Sequence, residues 1–380
     1  MRFPITPFPA GWFRAASSLE LPRGDVRPLR FCGKDLVLLR TADGVARAFD
    51  AHCPHLGANL GVGGRLVHGT LECPLHGWRY DSGGSCVAIP GGARIPAGAK
   101  LRPWPVCERN GVVLVHNHPA GEAPAWDVPE LPESSSPDWT TPREGKRWII
   151  RSHTQEFEEN GMDIAHFPFL HRQQTAEIRS DGLEARGPLL VHRTFQRYAI
   201  FGLARLWVRE VLGPLEITLI GPGMAVNRAS VKAGIELHYA FVFYFTPLDV
   251  ERIEMTCRLS MKRLGNPLFE WLLLRKAIRE GARTIDQDVP IWENKRYRSQ
   301  PLLCETDGPI MQYRSWVRQF YAPREAPRPG DTIGTAISGA FGESATTLGA
   351  EAMNHGTGDP RSERSGSPPA ATPLTAPPAA

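Results

Sequence analysis

A chain of 380 residues that is 42% hydrophobic and carries a formal net charge of only +4 has room for two ordinary domains and a tail, and is too weakly basic to argue for nucleic acid. No run of about 18 uninterrupted apolar residues occurs, which excludes a predicted transmembrane segment. The opening MRFPITPFPAGWFRAA lacks the basic and then apolar regions of a signal peptide. Its seven cysteines then suggest a reducing, cytoplasmic setting.

From about residue 8 to 117 the chain reads as short strands punctuated by Gly, Pro, Asp and Asn, with candidates at 35–40, 46–50, 71–80 and 111–117. This is the pattern of a compact all-β unit. A Pro- and Glu-rich stretch, 119–142, reads as a linker or wrapping segment. Longer strand candidates follow at 147–153, 190–198, 206–212, 216–220, 235–245 and 251–262. Their alternation is only rough, as in a large sheet with one buried face. Residues 267–288 switch to helical spacing, with Phe269, Leu272, Leu273, Ala277 and Ile278 on one side, and a second helix is expected near 310–321. After about Arg324 the composition turns to Ala, Gly, Pro, Ser and Thr, so the tail is expected to be disordered.

Two short stretches carry metal-ligand chemistry. Cys53-Pro54-His55 and Cys73-Pro74-Leu75-His76 each place a thiolate and an imidazole within one loop. Two such loops facing each other suit a [2Fe–2S] cluster with two Cys on one iron and two His on the other. Residues 56–72 can form the strand and turn that bring the loops together, and Gly57, Gly61, Gly63 and Gly64 would let the backbone approach the cluster. Zinc takes the same ligand types, but these spacings do not fit the usual fingers. Cys32, Cys86, Cys107, Cys257 and Cys304 read as small core residues or idle thiols.

The second stretch is ENGMDIAHFPFLH, residues 159–171. His166 and His171, five residues apart with apolar residues between them, suit a metal at the mouth of a buried cavity. Two His and one carboxylate on one face of Fe(II) leave positions open for O2 and substrate. The best candidate acid is Asp288, in DVPIW at the end of the long helix, with Asp286 its local rival.

CPHLGANLGVGG followed by CPLHGW resembles the Rieske domain of ring-hydroxylating and related oxygenases. Ala58 and Leu75 stand where respiratory Rieske proteins carry an extra disulfide-forming Cys pair. The run N-x-x-D-x-x-H-x-x-x-x-H downstream is similar to the iron motif of Rieske oxygenase large subunits. The first motif, the segment 159–171, DVPIWENKRYRSQPLL and RSWVRQFYA look most like the steroid-acting branch, which includes cholesterol 7-desaturases, 3-ketosteroid 9α-hydroxylases and bacterial sterol C-4 methyl oxidases. The resemblance covers roughly residues 10–322.

It implies an α+β chain: an N-terminal all-β Rieske domain (8–120), a linker (121–146), a catalytic domain of curved antiparallel sheet around helices in a helix-grip-like arrangement (147–323) and a tail (324–380). It also implies that Cys53, His55, Cys73 and His76 hold the cluster and that His166, His171 and Asp288 bind the mononuclear Fe(II). Asn160 would lie near that iron, and Asp163 would bridge to His76 on the neighbouring subunit of a homotrimer. The implied activity is a terminal oxygenase. It would take electrons from a ferredoxin or NAD(P)H-dependent reductase and use O2 to hydroxylate, demethylate or desaturate a sterol or steroid. The same chemistry on an aromatic or alkaloid-like metabolite, or a pure electron carrier, are the alternatives.

Overall fold

The computed structural model describes residues 8–171, 177–199, 210–233 and 235–321. The expected disordered tail and residues 206–209 of one strand candidate lie outside them.

Residues 8–117 form three small antiparallel sheets. In the first, Gly11–Ser17 pairs with Val112–Asn117, and that strand with Val106–Arg109. The run VVLVHN is buried at every position, which is why it forms the central strand of its sheet. The second sheet orders Val26–Phe31, Lys34–Arg40, Ala46–Asp50 and Pro103–Trp104. The third orders Arg65–Val67, Thr70–Glu72, Arg79–Tyr80 and Cys86–Ala88. The single strand expected at 71–80 is thus two strands interrupted by a loop, because Cys73–Gly77 turns back on itself.

The remaining chain builds one seven-stranded antiparallel sheet. Its order is Arg143–Ile150, Ile253–Met261, Ile235–Pro247, Met224–Ala233, Glu210–Ile220, Leu189–Ala199 and Glu177–Arg186. The first strand begins at Arg143, inside the expected linker, and pairs with Ile253–Met261 from Arg143 onward. Strands Glu177–Arg186 and Met224–Ala233 were not expected from alternation. The rest of the linker has little regular structure beyond the short helix Pro132–Ser135, yet Trp126, Val128 and Leu131 are buried. It wraps rather than dangles.

The two parts interlock. Cys32 N donates to Pro247 O at 2.7 Å, Ala10 N to Phe320 O at 2.8 Å and Trp12 Nε1 to Trp126 O at 2.9 Å.

The helix Pro267–Asn294 lies against the sheet. Asn266 caps it by accepting from Phe269 N at 3.1 Å, with Pro267 at the first position, where its missing N–H costs nothing. Its inner face is not the one expected. Leu274 and Trp292 are buried and Leu273, Ala277 and Ile278 pack on the core, but Phe269 and Leu272 are 42% and 50% exposed.

Residues 155–171 form two short helices, Thr154–Asn160 and His166–Leu170. The first is buried almost throughout, including three carboxylates. Glu159 is met by a two-pronged contact from Arg314, at 2.6 and 2.9 Å. Glu156 pairs with Lys295 at 2.6 Å, and Glu158 lies 3.0 Å from the Tyr313 hydroxyl. Tyr313 and Arg314 sit on the helix Ile310–Val317, within the predicted second helix. Removing one partner of a buried pair leaves an uncompensated charge. Arg314→Ala is therefore expected to lower unfolding free energy by about 3–5 kcal/mol. Arg283→Ala, at the exposed pair with Glu280, should change it by less than about 1 kcal/mol. Urea denaturation of the two variants checks the contrast.

Candidate metal centres

The first Cys–His loop leads from Ala46–Asp50 of the second sheet toward Arg65–Val67 of the third, and the second joins Thr70–Glu72 to Arg79–Tyr80 within the third. In the first, Gly57 N donates to Cys53 O and Cys53 N to Ala58 O, both at 2.9 Å. In the second, Gly77 N donates to Cys73 O at 3.0 Å and Cys73 N to Trp78 O at 2.8 Å. Gly57 and Gly77 take left-handed φ of +76° and +67°. The loops are therefore the same turn, although histidine stands two residues after Cys53 and three after Cys73.

The turn buries the thiols and leaves His55 and His76 at the surface. The two imidazole rings lie 4.7 Å apart, and His55 stacks on Trp78 at 4.4 Å. The Tyr80 hydroxyl lies 2.9 Å from Cys53 Sγ. Burial raises the Cys73 thiol above its ordinary pKa. Leu56, Val62 and Leu75 are exposed around the histidines. Gly61 and Gly64 serve a different purpose from the one expected. A Cβ at these positions would lie 2.6 Å from Pro28 Cα and 2.1 Å from Leu60 O, so they let the chain pack on its own backbone.

His166, His171 and Asp288 come together from two distant segments, with donor atoms all within 4.8 Å of one another. Asp288 Oδ1 lies 3.5 Å from His171 Nε2 and 3.9 Å from His166 Nε2. The other ring nitrogens fix the tautomers. His166 Nδ1 meets Asp163 O at 2.5 Å, and a carbonyl only accepts, so Nδ1 carries the hydrogen and Nε2 presents its lone pair. His171 Nδ1 donates likewise to Gln287 Oε1 at 2.8 Å.

Burial depresses both imidazoles, His166 to about 4, so both are neutral near pH 7. Burial pushes Asp288 up to about 7, against a hydrogen bond from Asn160. Asp288 Oδ1 is buried without a partner among the described residues. Two neutral imidazoles and an unsatisfied carboxylate oxygen facing one point are a donor set for a divalent cation. Asp286 is excluded from that point. Its Oδ1 takes hydrogen bonds from Lys146 Nζ at 2.6 Å and Trp148 Nε1 at 2.8 Å, which hold it against the edge strand Arg143–Ile150.

Asn160 Nδ2 lies 3.2 Å from His166 Nε2, at the centre itself. Asp163 sits at its rim, one-third exposed, with Oδ1 accepting from Ala165 N at 3.1 Å. Sequence reasoning missed Gln287 and the fully buried His192. The ring of His192 links Gly161 O at 3.1 Å to Ser180 Oγ at 2.8 Å. No spacing signal marks residues that act through another segment. The triad opens into a cavity of about 470 Å³ between sheet and long helix. Its walls are chiefly apolar, among them Leu219, Ala225, Phe241, Phe243, Leu273 and Ile285.

Residues 11–102 match the Rieske [2Fe-2S] domain, and residues 115–321 match the 3-ketosteroid 9α-hydroxylase C-terminal domain. The chain belongs to the Rieske oxygenases. Within them it falls in the branch that holds the cholesterol 7-desaturases and 3-ketosteroid 9α-hydroxylases. It is 32% identical over 340 residues to the cholesterol 7-desaturase of Bombyx mori, covering 83% of this chain and 70% of that one. It is 30% identical over 334 residues to a probable 3-ketosteroid-9-alpha-monooxygenase oxygenase component of Rhodococcus rhodochrous, covering 84% and 81%. Among solved structures, dicamba monooxygenase shares the fold at a TM-score of 0.66 and 21% identity, over 82% of this chain and 96% of that one. This Rieske oxygenase thus carries one [2Fe–2S] cluster and one mononuclear iron, with O2 as co-substrate.

A side chain at either loop glycine meets left-handed strain of about 1–2 kcal/mol. At Gly77 the new Cβ would also lie 3.0 Å from Pro90 Cγ, whereas nothing lies within 4 Å at Gly57. Gly77→Ala is expected to destabilise more than Gly57→Ala, read as the melting temperature of the visible cluster absorption.

Proposed function

We propose that this Rieske oxygenase oxidises a sterol or steroid, with Cys53, His55, Cys73 and His76 holding the cluster and His166, His171 and Asp288 holding the mononuclear iron. The observation that carries the reading is the unpartnered Asp288 oxygen, facing two imidazole lone pairs at one end of an apolar cavity. Bound there, the iron supplies O2 activation, and the cluster supplies electrons.

The chain's own residues do the rest. Hydrogen bonds to Asp163 O and Gln287 hold the imidazoles in the ligating tautomer. Asn160 stands beside the centre as a neutral amide. The apolar walls exclude water and receive a hydrocarbon skeleton, and a volume of about 470 Å³ is in the range of small-molecule sites. Hydroxylation, demethylation and desaturation all begin from a C–H bond held at this end.

Electrons come from a separate ferredoxin or NAD(P)H-dependent reductase, as the oxygenase-component relative supports. The working unit is a homotrimer. In it the exposed His76 of one copy faces the rim carboxylate Asp163 of the next, a short hydrogen-bonded path between cluster and iron. Its seven cysteines, none bonded to another, suit the cytoplasm.

Product analysis with a sterol panel and a surrogate reductase tests the substrate class: an oxidised sterol is expected, and no product from any sterol overturns it. For the iron site, His166→Ala and Asp288→Asn are expected to lose the mononuclear iron and turnover while keeping the cluster spectrum. Asp286→Asn should keep both, as metal analysis and visible absorption will read. For the cluster, Tyr80→Phe removes a hydrogen bond to Cys53 Sγ that stabilises the electron-rich reduced state. A loss of about 1 kcal/mol lowers the midpoint potential by roughly 40 mV for one electron, read by redox titration.

A further inference from the structure

The long helix presents two faces, and only the inner one is explained by the fold. On its outer face Leu268, Leu272, Arg275 and Arg279 recur at i, i+4, i+7 and i+11, a single stripe. Leu268 is 68% exposed and Leu272 50%. Phe269, 42% exposed, lies beside the stripe, and Lys262 and Leu264 extend it just before the helix. The acid within 262–279 is Glu270, which is buried and accepts from Leu264 N and Gly265 N. The stripe 262–279 is therefore apolar knobs interleaved with cations, and the exposed carboxylate that follows it, Glu280, is paired with Arg283 at 3.0 Å. Arg275 lies over the Trp271 ring at 5.3 Å, a placement that keeps the charge at an apolar boundary.

The same segment rims the cavity. Leu273, Lys276, Ala277 and Glu280 line it, one helical position round from the exposed stripe. A hydrocarbon leaving the cavity at this rim would emerge beside Leu272 and Phe269.

We infer that this face docks on an anionic bilayer and that the cavity takes its substrate directly from the lipid. The inference rests on the sterol reading above, because a sterol resides in membranes rather than in water. The charge selects the occupant. Cations with apolar side chains on one face of an amphipathic helix suit a surface of acidic lipid headgroups over acyl chains. A second copy of the chain would bring the same cations face to face. Among the described residues no helix is long and apolar enough to cross a membrane, so this attachment is peripheral and reversible by salt.

The test uses the full-length holoprotein and two surface variants, Leu268→Ser/Leu272→Ser and Arg275→Glu/Arg279→Glu. Neither touches the metal centres, and these four side chains do not line the cavity. Vesicles of phosphatidylcholine with about one-third phosphatidylglycerol are expected to pellet the wild type, pure phosphatidylcholine far less, and both variants to bind at least about tenfold more weakly. Turnover of a sterol embedded in the anionic vesicles should fall in parallel, while turnover of the same sterol delivered in cyclodextrin stays within about twofold of wild type. Equal vesicle binding by wild type and variants overturns the inference. So does a change in solution mass with no change in vesicle binding, which would mean that another copy covers the face. If no sterol is turned over even from cyclodextrin, the substrate reading fails, and vesicle binding alone still decides the docking surface.

Discussion

A carboxylate oxygen buried without a cation or donor of its own is costly, and Asp288 Oδ1 is placed in that position. Much of the second half of the molecule can be understood as the means of holding it there. The long helix carries it from Asn266 across the sheet, and the helical segment 154–171 brings two neutral imidazoles to the same point. Burial acts in opposite directions on the partners, lowering the histidines and raising the acid, so all three favour their neutral forms in the bare protein. A divalent cation reverses that preference for the acid and takes the imidazole lone pairs as they stand. The site is preorganised for a metal and unsatisfied without one.

The helix Thr154–Asn160 needs a second kind of support, because it buries three carboxylates of its own. Lys295, Tyr313 and Arg314 answer Glu156, Glu158 and Glu159 in turn. Lys295 and Arg314 lie in the two C-terminal stretches that resemble the steroid-acting branch, and Tyr313 immediately precedes the second. They brace the helix Thr154–Asn160, and none of the three belongs to the donor set. The Rieske half is built on a different economy. There two equivalent turns, each closed by a left-handed glycine, bury the thiols of Cys53 and Cys73 and leave His55 and His76 at the surface.

The cluster loops were legible because their chemistry is local: thiol, imidazole and turn glycine all fall within five residues. The His166–His171 pair was legible for the same reason. The aspartate that joins them was not, since Asp286 and Asp288 are equally good by spacing. Two residues along a helix turn the side chain by about 200°, which sends one acid to Lys146 at the surface and the other to the histidines. Strands with clear apolar runs, such as Ile235–Pro247, were visible, whereas Glu177–Arg186 and Met224–Ala233 were not. Their faces are set by what packs across them, and polar residues such as Ser180 and Asn227 break the alternation. The long helix was recognised as a helix, but its apolar residues were assigned to one side when they occupy two.

By itself the sequence determined which thiols and imidazoles stand together in the two Cys–His loops, and the α+β order of an all-β unit followed by a large sheet with a late helix. These follow from short-range spacing and from composition. Only the tertiary structure decided which aspartate completes the triad, which tautomers the histidines hold, that the linker's end is a strand of the main sheet, and that the helix keeps an apolar and basic face outside. Each of these depends on contacts between segments tens to more than a hundred residues apart, where burial and hydrogen-bond partners are supplied by the fold rather than by the neighbours in the chain.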